Sequence, residues 1–411
     1  MKFGIFYEHQ LPRPWDDDSE YRLFQNSLDQ IELADRLGYD YAWEVEHHFL
    51  EEYSHSSAPE VFLAAASQRT RSIRLGHGIV QLTTNHPARV AERVSTLDLL
   101  SHGRVELGLG EGSSVTELHP FNLRFRDKRL VWEDAVRCTL PMFWNHGWEY
   151  DGPFFKFPLR AVLPKPRQKP HPPLWVACSQ LQTIKYAAHR GMGALCFKFV
   201  DLESARAWVN AYYNTFVNDQ DKLADYQTNP NLAVVGGFMC AETDEEAWEK
   251  ADGWTFFQFA LGLYNKEGPF APGEVDLWER YQAWKATPAG QRRTGSELIG
   301  SPATIRARLQ ELRAAHVDQV ILLNQAGRNS HEDICDSLEL FAREVMPEFQ
   351  ADEAEHQAWK QAVLSGELEL EAIDTDPYDV TSRQAPTQAP SAELKDMVSA
   401  TAGRPDARSV S

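Results

Sequence analysis

The chain has 411 residues, 43% of them hydrophobic and 11% aromatic, and a formal net charge of -19. That suits one large globular domain with appendages, and no apolar run reaches the roughly 20 residues needed to span a bilayer. The excess of acid argues against nucleic acid or an anionic membrane as partner, because both reward clustered Lys and Arg. The five cysteines, at 138, 178, 196, 240 and 335, form no C-x-x-C pair and read as reduced, mostly buried thiols. The N-terminal apolar run ends by Glu8, too short for the core of a signal peptide, so a soluble cytoplasmic protein is expected.

In chain order, short apolar runs rich in β-branched or aromatic residues alternate with amphipathic stretches, the signature of repeated βα units. The strands are expected at Lys2–Phe6, Tyr41–Val45, Ile73–Ile79, Val105–Leu109, Leu174–Ala177, Ala194–Phe197, Leu232–Met239 and Gln319–Leu323. Eight such units predict a closed TIM (β/α)8 barrel. A doubly wound sheet is the competitor, but it usually opens on a Gly-rich turn, and no glycine follows Phe6 before Pro12. Helix signals are clearest where Asp127 precedes Lys128–Phe143 and where Ser301-Pro302 precedes Ala303–Ala315.

Three segments interrupt the repeat. Gly147–Pro173, rich in aromatics and proline, predicts an excursion of short strands. Residues 265–300 predict a long, lid-like loop with a short helix carrying Trp278, Tyr281 and Trp284, which either face a substrate or anchor the lid. The barrel is expected to occupy residues 1–350. Beyond it, 351–411 reads as an acidic, mostly disordered tail, with a marginal helix over Glu353–Leu370 and disorder after Asp374.

Barrel chemistry belongs at the carboxyl ends of the strands, and the second strand ends in Glu46-His47-His48-Phe49. A histidine beside a carboxylate suits proton transfer near neutral pH; the structural alternative is a pair of histidines bonded to neighbouring loops. His55, His77 and His86 would join His47 and His48 in a metal-dependent hydrolase, but no H-x-H spacing or late catalytic aspartate supports a metal site. Gly108-Leu109-Gly110-Glu111-Gly112 allows close backbone approach to a phosphate or flat ring, or simply makes a tight loop. Arg129 is either a counter-charge or a surface residue. Ser179 and Gln180 open the helix after the fifth strand, where they either help bind a phosphate or cap the helix.

Together, Met1–Phe6, Glu46-His47-His48-Phe49, Leu75–Val80, His86-Pro87, Leu97-Asp98 with Gly103-Arg104, and Pro172–Ala177 resemble the bacterial luciferase alpha chain in order and spacing. Glu344-Val345-Met346-Pro347 is similar to other luciferase-like flavin-dependent monooxygenases, so the resemblance covers about Met1 to Phe349. It implies a barrel that takes reduced FMN (FMNH2) from a separate NAD(P)H:flavin reductase, activates O2 as a C4a-peroxyflavin and oxygenates a small organic substrate. On this reading His47 is the catalytic acid/base, with Glu46 and His48 shaping its surroundings. His77, Gly78 and Ile79, with a non-prolyl cis peptide at Gly78–Ile79, flank the flavin, and Gly110, Arg129, Ser179 and Gln180 bind its phosphate. Where luciferase has an arginine after the fourth strand this chain has Glu111, expected to repel that phosphate. The resemblance also implies a homodimer, and a sister branch of the fold uses the deazaflavin F420 for hydride transfer.

Overall fold

Runs such as Lys2-Phe3-Gly4-Ile5-Phe6-Tyr7 are apolar on both faces, which suits a parallel strand covered by helices on one side and by the barrel interior on the other. The structure, a computed structural model, describes residues 1–197, 202–268, 270–291 and 298–375. Its elements run β1 (Lys2–Tyr7), α1 (Ser19–Leu37), β2 (Tyr41–Glu44), α2 (Pro59–Arg69), β3 (Arg74–Gln81), α3 (Pro87–Leu100) and β4 (Val105–Gly110). There follow α4 (Val115–Leu118), α5 (Lys128–Thr139), β5 (Trp148–Asp151), β6 (Lys156–Arg160), β7 (Leu174–Cys178), α6 (Leu181–His189), β8 (Gly193–Cys196) and α7 (Leu202–Asn218). The chain continues with β9 (Leu232–Cys240), α8 (Asp244–Lys250), α9 (Asp252–Glu267), α10 (Leu277–Lys285), β10 (Leu298–Gly300), α11 (Pro302–Ala314), β11 (Gln319–Gln325), α12 (His331–Glu344), α13 (Met346–Ala351) and α14 (Glu353–Leu364).

Strands β1, β2, β3, β4, β7, β8, β9 and β11 pair in parallel in that order, and β11 returns to β1. This is the expected closed TIM barrel. Phe6, Trp43, Ile79, Trp175, Leu195, Val235 and Ile321 fill its interior. Ile5, Leu75, Leu107 and Val320 point outward and pack with Ile31, Leu63 and Val136 of the helices. The Trp43 ring is wide enough to dictate a neighbour: a Cβ on Gly76 would stand 2.2 Å from it.

The excursion after α5 is the antiparallel hairpin β5–β6, as its composition implies. Ser301 caps α11 by accepting from Thr304 N, with Pro302 in the first turn. Asp127 does not cap α5; its carboxylate is held by Arg124 at 2.6 Å, and the helix gives way to a 3-10 turn at Leu140–Phe143. Much of 265–300 is regular structure: α9 runs to Glu267, α10 follows, and β10 adds a short strand to β9.

The boundary expected at residue 350 falls inside α13. Beyond it, α14 lies across the amino-terminal end of the barrel. The Met1 ammonium bonds Phe349 O at 3.1 Å and Glu353 at 2.8 Å, while buried Lys360 reaches Asp318 at 2.6 Å. The segment predicted to be disordered lies outside the described residues from 376 onward. Among the described residues no helix is long and apolar enough to cross a membrane.

Candidate active site

The loop after β2 leaves the barrel at Val45 and doubles back, with His47 N donating to Ser56 O at 2.8 Å. This holds the His47 ring over the carboxyl end of the barrel, edge-on to Tyr53 at 5.6 Å. His47 Nδ1 lies 2.7 Å from Glu117 Oε1, and Nε2 lies 3.6 Å from Glu8 Oε2. Burial favours the neutral imidazole, but the carboxylates of Glu117, Glu8 and Glu46 outweigh it and raise the His47 pKa to about 9. Glu117 responds in the opposite sense. Burial alone would raise it, yet His47, Ser113 and Ser114 bring it down to about 2. At neutral pH, therefore, His47 is an imidazolium held by a carboxylate.

Glu117 sits on the one-turn helix α4 and is fully bonded: besides His47 it accepts from His48 N, Gln81 Nε2, Ser113 Oγ and Ser114 Oγ. Glu46 takes Gln81 N at 3.0 Å, Asn85 Nδ2 at 2.9 Å and His48 Nε2 at 3.0 Å. The predicted trio of Glu46, His47 and His48 is thus brought together, and Gln81 at the end of β3 ties it to Glu117. Composition and motif reading missed Glu8 and Glu117. Glu8 could have been singled out as the first residue past the first strand, whereas Glu117 lies 70 positions from His47 in a segment with no motif.

Other predicted residues fall elsewhere. His77 shares the outward face of β3 with Leu75, buried against the helices with neither ring nitrogen hydrogen-bonded, and its pKa is lowered to about 4 by burial. It does not line the barrel mouth. Gly78–Ile79 is a trans peptide; the cis bonds among the described residues precede Pro14, Pro164 and Pro170. The strand instead absorbs its irregularity through a register shift between His77 and Val80 against β4. Ile79 then turns inward onto Gly110, where a Cβ would stand 2.4 Å from the Ile79 side chain, so that glycine serves packing. His86 caps α3 and His55 pairs with Glu20 at 2.8 Å. Among the described residues no group of three or more His, Cys, Asp or Glu could hold a metal ion, so the hydrolase constellation is not assembled.

Arg129 and Glu111 form a two-point ion pair at 2.8 and 3.2 Å, which corrects the expectation that Glu111 simply repels an anion. Lys128 adds a second cation 3.5 Å from Glu111, leaving this corner with one net positive charge. The Arg129 guanidinium also covers the Tyr186 ring in the middle of α6 at 4.2 Å, joining the β4 loop and α5 to α6. At the start of α6, Ser179 is exposed, and Gln180 caps the helix in a reciprocal arrangement with Thr183. The cap is therefore Gln180 and not Ser179, which faces solvent.

Trp278, Tyr281 and Trp284 pack on Phe256 and Phe259 of α9, with Tyr281 fully buried and its hydroxyl donating to Asp252 at 2.6 Å. They anchor α10. The aromatics that reach the His47 neighbourhood come from α9 itself: Phe257 stacks on Tyr53 at 5.7 Å and Tyr264 meets it at 6.2 Å.

A family profile for luciferase-like monooxygenases matches residues 1–319. The flavin-dependent trigonelline monooxygenase oxygenase component of Acinetobacter baylyi is 25% identical over 365 residues, covering 85% of this chain and 96% of that protein. Among solved structures, the monooxygenase RslO1 from Streptomyces bottropensis superposes with a TM-score of 0.70 at 25% identity, over 85% of this chain and all of the other. The oxygenating constituent of 3,6-diketocamphane monooxygenase from Pseudomonas putida, solved with FMN, has the same fold, with a TM-score of 0.66 at 18% identity over 84% of this chain and 98% of that one. A closed parallel barrel, a charged histidine at its carboxyl mouth and a match over most of the length agree: this chain belongs to the luciferase-like monooxygenase family.

Proposed function

We propose that the chain is the oxygenase component of a two-component flavin monooxygenase, receiving reduced FMN from a separate NAD(P)H:flavin reductase and using O2 to oxygenate a small organic substrate. The observation that carries this reading is the imidazolium of His47, fixed at Nδ1 by Glu117 and placed beside the aromatic wall of Tyr53, Phe257 and Tyr264. The donor set fits a flavin phosphate. Arg129 and Lys128 give a net cationic corner, and the start of α6 adds exposed Ser179 and the positive end of the helix dipole. Reduced FMN, when bound there, supplies the electrons and the ring on which oxygen is activated.

The protein's own residues have separate tasks. With Nδ1 bonded to Glu117, His47 has Nε2 left to give a proton to a reacting oxygen and take it back. Glu46 and His48, locked by Gln81 and Asn85, hold the loop that carries His47. The aromatic wall keeps water away, which favours oxygen transfer over loss as H2O2. The oxygenase component of Acinetobacter baylyi and the FMN-bound relative support flavin use with an external reductase, and the family resemblance supports a homodimer.

Anaerobic titration of the purified chain with FMNH2 and, separately, with F420H2, followed by mixing with O2, tests the proposal. Saturable FMNH2 binding with subsequent O2 consumption is expected. Binding of F420H2 alone, with no O2 consumed, would instead assign the chain to hydride transfer.

A further inference from the structure

Glu8 is the first residue past β1, and apart from its share in raising the His47 pKa it has no task in the chemistry above. Its carboxyl group is almost wholly buried, and Oε2 has no hydrogen-bond partner although it faces His47 Nε2 at 3.6 Å. The other oxygen has only a long contact, 3.4 Å, from the Tyr53 hydroxyl. A buried carboxyl oxygen left unpaired costs stability, and here it stands beside the one ring nitrogen of His47 that Glu117 does not occupy.

We propose that Glu8 is a positioning residue for His47: it sets a carboxyl group beside Nε2, at ion-pair and not hydrogen-bond distance, and extends the pH range over which His47 serves as an acid. The proposal deepens the reading above and rests on His47 as the proton donor. The charged and titratable groups that face Glu8 are His47 from the β2 loop, Glu44 from β2, Glu117 from α4 and Tyr53 from the loop before α2. Burial raises the Glu8 pKa, His47 pulls it back, and the balance falls at about 7. Glu8 therefore loses its proton before His47 does. As pH rises through neutrality, a new negative charge appears next to Nε2 and strengthens the hold on the imidazolium.

The proton movements balance without another reactant. When Nε2 gives its proton to a bound oxygen, protonated Glu8 can pass one proton to Nε2, becoming a carboxylate that is reprotonated from water.

The test uses the full flavin-free chain labelled with 15N-histidine, its His47 resonance identified by its loss in His47→Gln. In Glu8→Gln the midpoint of the His47 titration is expected to fall by roughly one pH unit, since an opposite charge at this range is removed. Glu8→Asp, which keeps the charge but withdraws it, is expected to fall between the two. With the flavin-loaded enzyme, the alkaline limb of product formed per O2 consumed should move to lower pH in Glu8→Gln while the FMNH2 dissociation constant stays the same. An unmoved His47 midpoint in Glu8→Gln overturns the proposal, as does an unmoved midpoint in Glu8→Asp where the glutamine variant does not fold. The titration needs no flavin, so failure to bind FMNH2 would sink the monooxygenase reading and leave this result interpretable.

Discussion

The charge on His47 is decided by a contest between burial, which favours the neutral ring, and the carboxylates around it, chiefly Glu117. Replacing Glu117 by Gln keeps the shape and removes the charge, so burial regains weight and His47 should lose its proton at a lower pH; the alkaline limb of the activity profile reads this directly. His47→Gln should cut oxygenation about 10²- to 10⁴-fold, the usual worth of a placed acid or base, with little change in FMNH2 affinity. At the phosphate corner, Glu111 competes for Arg129. Arg129→Gln should weaken FMNH2 binding about 10- to 100-fold, because it removes a charge-assisted contact and leaves Glu111 exposed to the phosphate. Glu111→Gln should do the reverse and tighten binding, and fluorescence titration distinguishes the two directions. At this scale the sequence showed Glu46, His47 and His48 because strand ends can be located by pattern. It hid Glu117, whose importance comes from a loop that folds back over 70 residues, and it misplaced His77, whose outward face is set by pleat parity.

At the level of elements, α10 illustrates what composition can and cannot show. The aromatic residues Trp278, Tyr281 and Trp284 marked a helix that packs on something, but only the tertiary structure shows that they pack on α9. The start of α10 is tied to the β2 loop by buried Glu52, which accepts from Leu277 N at 2.7 Å, Trp278 N at 3.2 Å and Arg13 N at 2.9 Å. Removing that carboxylate leaves amides of the first helical turn without a partner, at a cost of about 1–3 kcal/mol. In Glu52→Ala the amides of 277–285 should exchange faster with solvent. If α10 braces the α9 wall beside Tyr53, a larger share of the O2 consumed should then appear as H2O2; peroxide assay alongside hydrogen exchange tests both links. Unchanged coupling with faster exchange would confine Glu52 to stability.

Across the whole molecule, the two ends of the barrel divide the work, as parallel barrels generally do. The carboxyl end carries His47, Glu117 and the cationic corner; the amino end is closed by α14 around Asp318. That carboxylate is buried and bonded to Lys360, His356, Tyr213 and the backbone of Leu232. Burial would raise its pKa, but Lys360 and His356 prevail and hold it at about 2. In the unfolded chain an aspartate titrates near pH ~4, so the fold gains stability from Asp318 above that pH and loses it as pH falls toward 2. Asp318→Asn strands Lys360 in a buried site and should cost about 3–5 kcal/mol at neutral pH. The gap from the parent chain should narrow as pH falls from about 4 to about 2, where the parent loses the same charge. Denaturant midpoints across that range measure the gap, and FMNH2 titration at neutral pH supplies the control. A loss of stability with unchanged flavin affinity is the outcome expected if α14 and Asp318 maintain the barrel without taking part in its chemistry. A matching loss of affinity would show that the two ends are coupled through the strands.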